Sequence, residues 1–165
     1  MGADRRHARP FTYKPSEIVL DDVNARIQAT LSVNPRLAMA ELGRRVGLSS
    51  PVVTERVRRL EEAGVIRGYS LDLDPAFLGL PLMAFVRVRP NPGRLAKIGE
   101  LARQIPEVAE CHRVTGDDCF IIKLHLPDMS QLDRVLDQFL LHGTTTTSIV
   151  QSTPVPSRQP PLPES

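Results

Sequence analysis

The sequence has no tryptophan, two cysteines and 4% aromatic residues. Cys111 and Cys119 are too few for a disulfide scaffold, and no C-x-x-C or histidine-rich cluster offers the ligand spacing of a metal site. The scarcity of aromatic rings argues against a stacking platform for single-stranded nucleic acid. We therefore expect two unpaired thiols, and neither a metal nor a cofactor.

Long apolar runs are also missing from the sequence. None approaches the roughly 18 residues that a membrane-spanning helix needs, and the basic N-terminus is not followed by the apolar stretch of a signal peptide. These absences predict a cytoplasmic protein without a membrane partner. The net charge is only +2, so affinity for nucleic acid would have to come from a local patch of the surface.

The 165 residues suit one domain or two small ones. Residues 1–16 carry four basic side chains without an apolar period and predict a flexible basic arm. Residues 17–68 repeat apolar side chains at helical spacing in three segments, with breaks at Asn34-Pro35 and Gly47. Residues 65–73 alternate loosely, and we expect a linker strand at 69–80 and a proline-rich tail at 154–165.

Residues 81–153 predict the element order β-α-β-β-α-β. A strand at 82–88 precedes a helix that starts at Asn91-Pro92, and two further strands are joined by a turn at Gly116. A second helix is expected to end at Gly143, before a last strand at 144–151. This order is the split βαβ of ferredoxin-like domains, in which two helices cover one face of a sheet. The other face is open, so we expect self-association through it.

Residues 39–60 predict a helix-turn-helix, whose second helix would enter the major groove of double-stranded DNA. Rotation by about 100° per residue puts Val53, Val57 and Leu60 on its buried side. Six arginines face three acids between residues 44 and 67, so this segment is more basic than the whole chain. The predicted DNA-binding residues lie on the outward face and its flanks: Ser49, Ser50, Pro51, Val52, Thr54, Glu55, Arg56, Arg58 and Arg59.

An alternative interpretation of the same segment is structural. The arginines could form salt bridges with Glu55, Glu61 and Glu62, because charges three or four residues apart also stabilise isolated helices.

Short motifs across residues 17–152 together resemble the Lrp/AsnC (leucine-responsive/asparagine-responsive) family of transcription regulators. Their order and spacing carry the resemblance, since each motif alone is weak. In the first half the motifs are Leu20-Asp21, Ile27 with Leu31, Glu41-Leu42, Val46-Gly47-Leu48-Ser49, Arg56-Val57-Arg58-Arg59-Leu60-Glu61 and Gly64-Val65-Ile66-Arg67-Gly68-Tyr69. In the second half they are Leu73-Asp74-Pro75, Leu78-Gly79, Ala84-Phe85-Val86, Pro106-Glu107-Val108, Val114-Thr115-Gly116 and Thr147-Ser148-Ile149-Val150.

The resemblance implies a winged helix-turn-helix joined by a strand-containing linker to a ligand-sensing domain, assembled as dimers and often higher oligomers. It also implies that an amino acid or related metabolite binds near the hairpin turn at 116–120. Cys119 stands where the family usually has an aspartate, Asn24 where it favours aspartate, and Ala38 where it favours a serine or threonine helix cap. The predicted effector-binding residues are Thr115, Gly116, Asp117, Asp118 and Cys119, with hydroxyls from the last strand at Thr145, Thr146 and Thr147.

Two other functions are weighed against a metabolite-responsive regulator. Some proteins similar to this family in fold are siroheme decarboxylases, and Arg113, His112 and His125 are the candidates for holding a tetrapyrrole. The sequence offers no paired carboxylates positioned for acid–base catalysis, so we predict that the protein is not an enzyme. The third candidate is a sensing protein that does not bind DNA.

Overall fold

The computed structural model describes residues 21–158 and residue 160. The predicted basic arm at 1–16 and the end of the predicted proline-rich tail lie outside these residues. Residues 150–158 form neither helix nor strand. The chain divides after Ser70 into two compact units. No helix in the described part of the chain is long and apolar enough to cross a membrane.

The described residues of the first unit form three helices, α1 (Asp22–Val33), α2 (Met39–Val46) and α3 (Ser50–Glu62). Each helix buries the apolar stripe that its sequence period predicts. Asp21 caps α1, because its Oδ1 accepts a hydrogen bond from the N–H of Asn24 at 2.7 Å. Ala38 precedes α2 without a side-chain cap. The buried core is formed by Ile27, Leu31, Leu42, Val46, Val53, Val57 and Leu60.

The predicted linker strand at 69–80 is wrong. These residues form an irregular segment followed by a short 3-10 helix at Pro75–Leu78. A strand is stabilised by a hydrogen-bonded ladder, and the described residues supply no partner strand for this segment. Local hydrogen bonds form instead, since Asp74 Oδ1 accepts from the N–H of Ala76 at 2.9 Å, and proline at 75 has no N–H to offer a ladder.

The second unit contains a four-stranded antiparallel sheet with two helices. In chain order the elements are β1 (Leu82–Pro90), α4 (Leu95–Gln104), β2 (Val108–Arg113), β3 (Phe120–Leu126), α5 (Met129–Leu140) and β4 (Gly143–Ile149). The strand order across the sheet is β2-β3-β1-β4. This topology confirms the predicted α+β class, with a helix-turn-helix followed by a ferredoxin-like domain.

One face of the sheet is covered and the other is open, as β1 and β3 illustrate. Along β3, buried residues alternate with half-buried ones, and Phe120, Ile122 and Leu124 point toward the helices. Ala84, Val86 and Val88 do the same on β1. The alternation follows from the two-residue period of a strand, and it leaves Ile121, Lys123 and His125 on the open face.

Two predicted helix boundaries in this unit are wrong. Helix α4 begins at Leu95 and not at Asn91-Pro92, because the N–H of Arg94 donates to the Asn91 carbonyl at 3.0 Å and closes a turn first. Helix α5 ends at Leu140, and Gly143 is the first residue of β4. A Cβ at position 143 would collide with the carbonyl oxygen of Arg89, so glycine there permits close strand pairing.

Candidate functional site

Gly43 and Gly47 allow the tight turn between α2 and α3. Gly47 adopts a left-handed conformation with φ of 74°, which ends α2. The N–H of Leu48 donates to the Gly43 carbonyl at 2.8 Å. A Cβ on Gly43 would lie 2.6 Å from the carbonyl oxygen of Leu48, closer than real contacts allow. Glycine at 43 therefore lets α2 pass directly beside the start of α3.

The predicted DNA-binding residues lie on the solvent side of α3 and at its start. Ser49 is the N-cap residue but makes no side-chain cap hydrogen bond, and Pro51 occupies the first turn. Thr54 Oγ1 donates to the Ser50 carbonyl at 2.8 Å, so that hydroxyl is already engaged. The other members, Val52, Glu55, Arg58 and Arg59, form an outward surface opposite the buried Val53, Val57 and Leu60.

Arg56 differs from its neighbours because it connects two helices. Its Nη1 donates to Asp21 Oδ2 at 2.7 Å and to Asn24 Oδ1 at 3.0 Å. The Arg56 guanidinium, together with the N–H of Asn24, holds the pKa of Asp21 below its usual value. Arg56 thus fastens the start of α1 to the flank of α3.

Substitutions of Asp21 should separate its role as the N-cap of α1 from its role in the ion pair with Arg56. Asp21→Asn keeps a good helix cap but loses the charge, whereas Asp21→Ala loses both and should cost about 1 kcal/mol more from the missing cap. The ion pair stabilises the fold above the usual aspartate pKa, and this stabilisation is lost as pH falls through the lowered pKa. We expect the difference in thermal unfolding between wild type and Asp21→Asn to shrink in acid. A constant difference at all pH values would contradict a charge effect.

Arginines and glutamates alternate on the outer surface of α3. Arg58 Nε and Nη2 donate to Glu55 at 2.8 and 2.7 Å, and Arg59 Nε donates to Glu55 at 2.8 Å. Arg58 also pairs with Glu62. These guanidinium groups lower the pKa of Glu55 to about 2. The salt bridges of the structural interpretation therefore form with Glu55 and Glu62.

Glu61, the third acid of that interpretation, has a different partner. It accepts a hydrogen bond from the Tyr69 hydroxyl at 3.0 Å. Burial, and then this hydrogen bond, raise the pKa of Tyr69 to about 12. Glu61 thus anchors the segment that follows α3.

The turn between β2 and β3 is connected to β1 by ion pairs. Arg89 Nη2 lies 2.7 Å from Asp117 Oδ2, and Arg87 Nη1 lies 3.8 Å from Asp118 Oδ2. Arg89 Nε also donates to the Asp117 carbonyl at 3.3 Å. Gly116 has φ of 103°, a conformation that favours glycine. Carboxylates of the turn and guanidinium groups of β1 thus lie together at one end of the sheet, beside the backbone of Gly116.

Cys119 occupies the turn in an unusual conformation. Its φ of 56° is left-handed, which is rare for a residue with a side chain. Its thiol lies 3.7 Å from the carbonyl oxygens of both Gly116 and Asp117, so it faces back into the loop. Cys111 is paired in the ladder with Ile122, and both cysteines are free.

The threonine run on β4 is divided between the two faces of the sheet. Thr144 and Thr146 are cross-strand partners of Arg89 and Arg87, and they share the open face with those arginines. Thr145 and Thr147 stand opposite Val88 and Val86, on the helix-covered face. The structure therefore brings Thr146 beside Arg87 but turns Thr145 and Thr147 to the other side of the sheet.

The two arginines of β1 were not among the predicted site residues. Their signal in the sequence is the alternation of Arg87 and Arg89 with Val86 and Val88, which puts charge on the face opposite the core. Only strand pairing reveals that this charge meets the 115–119 turn.

The candidate tetrapyrrole ligands are not gathered on one face. His112 pairs across the ladder with Ile121, and its Nε2 lies 3.1 Å from Glu110 on the open face. Burial lowers the pKa of His125 on the same face, aided by Lys123. Arg113 is the partner of Phe120 and thus points toward the helix-covered side. This division weakens the case for a shared ligand.

The fold and these surfaces define a class of protein that has a helix-turn-helix and a separate domain with a charged turn. Residues 20–67 match the family described as winged helix-turn-helix DNA-binding. Residues 83–160 match the family described as Lrp/AsnC ligand binding domain.

Whole-chain relatives agree with both matches. The uncharacterized HTH-type transcriptional regulator YezC of Bacillus subtilis is 38% identical over 133 residues, which are 81% of this chain and 94% of YezC. The leucine-responsive regulatory protein of Escherichia coli K12 is 37% identical over 125 residues, covering 74% and 76%. The crystal structure of the Neisseria meningitidis regulator NMB0573 with L-Met superposes with a TM-score of 0.78 at 29% identity, covering 86% and 96%.

The chain belongs to the Lrp/AsnC family and is a transcription regulator with a DNA-binding helix-turn-helix and a ligand-binding domain. The resemblance inferred from its sequence motifs is thereby confirmed. The relatives reported above are likewise named as regulators and not as enzymes.

Proposed function

We propose that the protein reads double-stranded DNA with α3 and changes its DNA affinity when an amino acid or related metabolite binds at the 115–119 turn. The observation that carries this proposal is the pair of ion contacts between that turn and β1, Arg89 to Asp117 and Arg87 to Asp118. They provide both charges that a zwitterion needs, on the domain whose family is described as ligand binding.

On the DNA side, the proposal rests on the solvent surface of α3. Pro51, Val52 and Arg59 are exposed at or beyond its first turn, where a recognition helix meets base edges and phosphates. Ser49 and Ser50 lie at the helix N-terminus, where hydroxyls and N–H groups suit a phosphate. Arg56 contributes indirectly, since its contacts with Asp21 and Asn24 fix the position of α3.

On the effector side, an amino acid would insert into the Arg89–Asp117 pair. Its carboxylate would take the guanidinium, and its ammonium group would take Asp117 or Asp118. Cys119 replaces the carboxylate usual in the family, and its thiol contacts the loop's own carbonyl oxygens. The two preceding aspartates therefore supply the negative charge. The L-Met complex of the Neisseria relative supports an amino acid as ligand.

Self-association follows from the open face of the sheet. Phe85 is 40% exposed there, and Ile121 and Met83 are only half-buried in the single chain. A second copy covering this face would form a two-fold dimer. Two recognition helices would then meet half-sites about 34 Å apart or at a multiple of that distance.

The decisive experiment combines ligand screening with DNA binding. Thermal unfolding in the presence of each of the twenty amino acids and their keto acids should reveal an effector, because a bound ligand raises the unfolding temperature. A gel shift with the DNA upstream of the protein's own gene, with and without that effector, should show a changed affinity. No shift at low salt would refute DNA binding, and no thermal response would refute the effector class.

A further inference from the structure

Glu55 occupies the centre of the charged surface on α3. Its carboxylate accepts three hydrogen bonds, two from Arg58 and one from Arg59, all between 2.7 and 2.8 Å. Glu62, two helical turns after Glu55, contacts only Arg58 among these arginines. Glu55 is thus the acid that both arginines hold.

The hydrogen-bond capacity of the three side chains is unequal. A carboxylate has about four acceptor positions, so Glu55 has roughly one left after three are used. Arg58 uses Nε, Nη1 and Nη2 for Glu55 and Glu62. Arg59 uses its Nε for Glu55, which leaves the Nη atoms of a side chain that is 72% exposed. Arg59 can therefore donate hydrogen bonds from its Nη atoms to a phosphate while its Nε still donates to Glu55.

The arrangement fixes the direction of the carboxylate. Two guanidinium groups orient Glu55, which is itself 43% exposed on the solvent side of the helix. The same guanidinium groups hold the pKa of Glu55 below its usual value, so the carboxylate is ionised at neutral pH. An ionised, oriented carboxylate accepts a hydrogen bond from a base-edge amino group and is repelled by base-edge acceptors. Cytosine N4 is the usual partner of glutamate in the major groove.

We propose that Glu55 determines sequence specificity by accepting a hydrogen bond from a cytosine N4 amino group, with Arg58 and Arg59 acting as the clamp that positions it. The proposal rests on the proposed DNA-binding function of α3. A base pair that presents an acceptor at this place would leave the carboxylate unpaired beside it. Glu55 thereby penalises the wrong base as well as favouring the right one.

The test is selection of bound duplexes from a random library by wild type, Glu55→Gln and Glu62→Gln. Glutamine at 55 adds an amide donor, and glutamine prefers adenine. We expect Glu55→Gln to lose one cytosine preference in the selected site and to lower the ratio of specific to random-duplex affinity about 10-fold. Glu62→Gln makes the same charge change on the same helix and should keep the selected sequence.

Glu55→Asp is the second variant, because it keeps the charge but shortens the side chain by one methylene. It should lose the cytosine preference while binding random duplex as wild type does. An unchanged selected sequence in Glu55→Gln, or an equal change in Glu62→Gln, would overturn the role of Glu55. If wild type itself selects no sequence, the proposed DNA-binding function fails instead. Thermal unfolding of each variant establishes that its fold is intact.

Discussion

Alanine at both Arg58 and Arg59 should weaken binding to a specific duplex about 100-fold at 0.1 M salt, since each arginine contact is worth roughly tenfold. The loss has two sources. Guanidinium groups that reach phosphate or guanine are removed, and Glu55 and Glu62 remain as unpaired carboxylates facing a polyanion. The plot of log affinity against log salt should become flatter by about one unit, because Arg59 is the arginine whose Nη atoms are left for a phosphate and each lost phosphate contact removes about 0.9.

Two further variants distinguish local contacts from charge in general. Lysine at both positions keeps the charge, so the salt slope should stay near that of wild type while the specific affinity falls with the lost bidentate geometry. Alanine at Arg103 and Arg134, on α4 and α5, changes the net charge equally but lies outside the first unit. It should leave binding unchanged. A wild-type slope in the Arg58 and Arg59 double alanine variant would contradict the phosphate role.

Periodicity was sufficient to predict most of the architecture. The 3.6-residue spacing in the first unit and the two-residue alternation on β1 and β3 follow directly from which side chains must be buried. Gly47 ends α2 because glycine readily adopts the left-handed conformation of a helix C-cap, and this preference can be recognised from the sequence alone. The elements predicted wrongly depend on partners elsewhere in the chain. Asn91, for example, donates its N–H to the carbonyl of His142. This contact stabilises the turn at 91–94, so α4 begins only at Leu95.

The partners of the charged side chains on α3 could not be predicted from the sequence either. Spacing alone allows Arg58 and Arg59 either to pair with glutamates or to point at DNA, and the sequence cannot choose between them. The structure shows that Glu55 holds both arginines. The three arginines of α3 are matched by its three acids, so the excess of six arginines over three acids between residues 44 and 67 comes from arginines outside this helix.

The proposed effector site could be predicted only in part, because its two sides come from strands that are far apart in the sequence. The turn at 115–119 is visible in the sequence, whereas Arg87 and Arg89 reach it only through the pairing of β1 with β3. The sequence prediction places the hydroxyls of Thr145, Thr146 and Thr147 together at the effector site. Alternation assigns Thr146 to the open face and Thr145 and Thr147 to the covered face, a division that the period of a strand already implies.

Glutamine at position 89 should lower the affinity for the effector about tenfold, because the ligand carboxylate loses its guanidinium partner. The pair is exposed, with Arg89 56% and Asp117 86% accessible, so the loss should stay well below that of a buried ion pair. Calorimetric titration with L-methionine, or with the amino acid that gives the largest thermal shift, measures this change.

A change in the ligand tests the same contact without a change in the fold. L-Methioninamide keeps the side chain and the ammonium group but has no carboxylate, so wild type should prefer L-methionine over it about tenfold. In Arg89→Gln that preference should disappear, because the group that senses the carboxylate is gone. Arg134→Gln removes the same charge from the surface of α5 and should retain the full preference. If wild type and Arg89→Gln prefer L-methionine over the amide equally, the ligand carboxylate binds elsewhere. Arg87, which lies beside Asp118, and its cross-strand partner Thr146 are then the next two residues to vary.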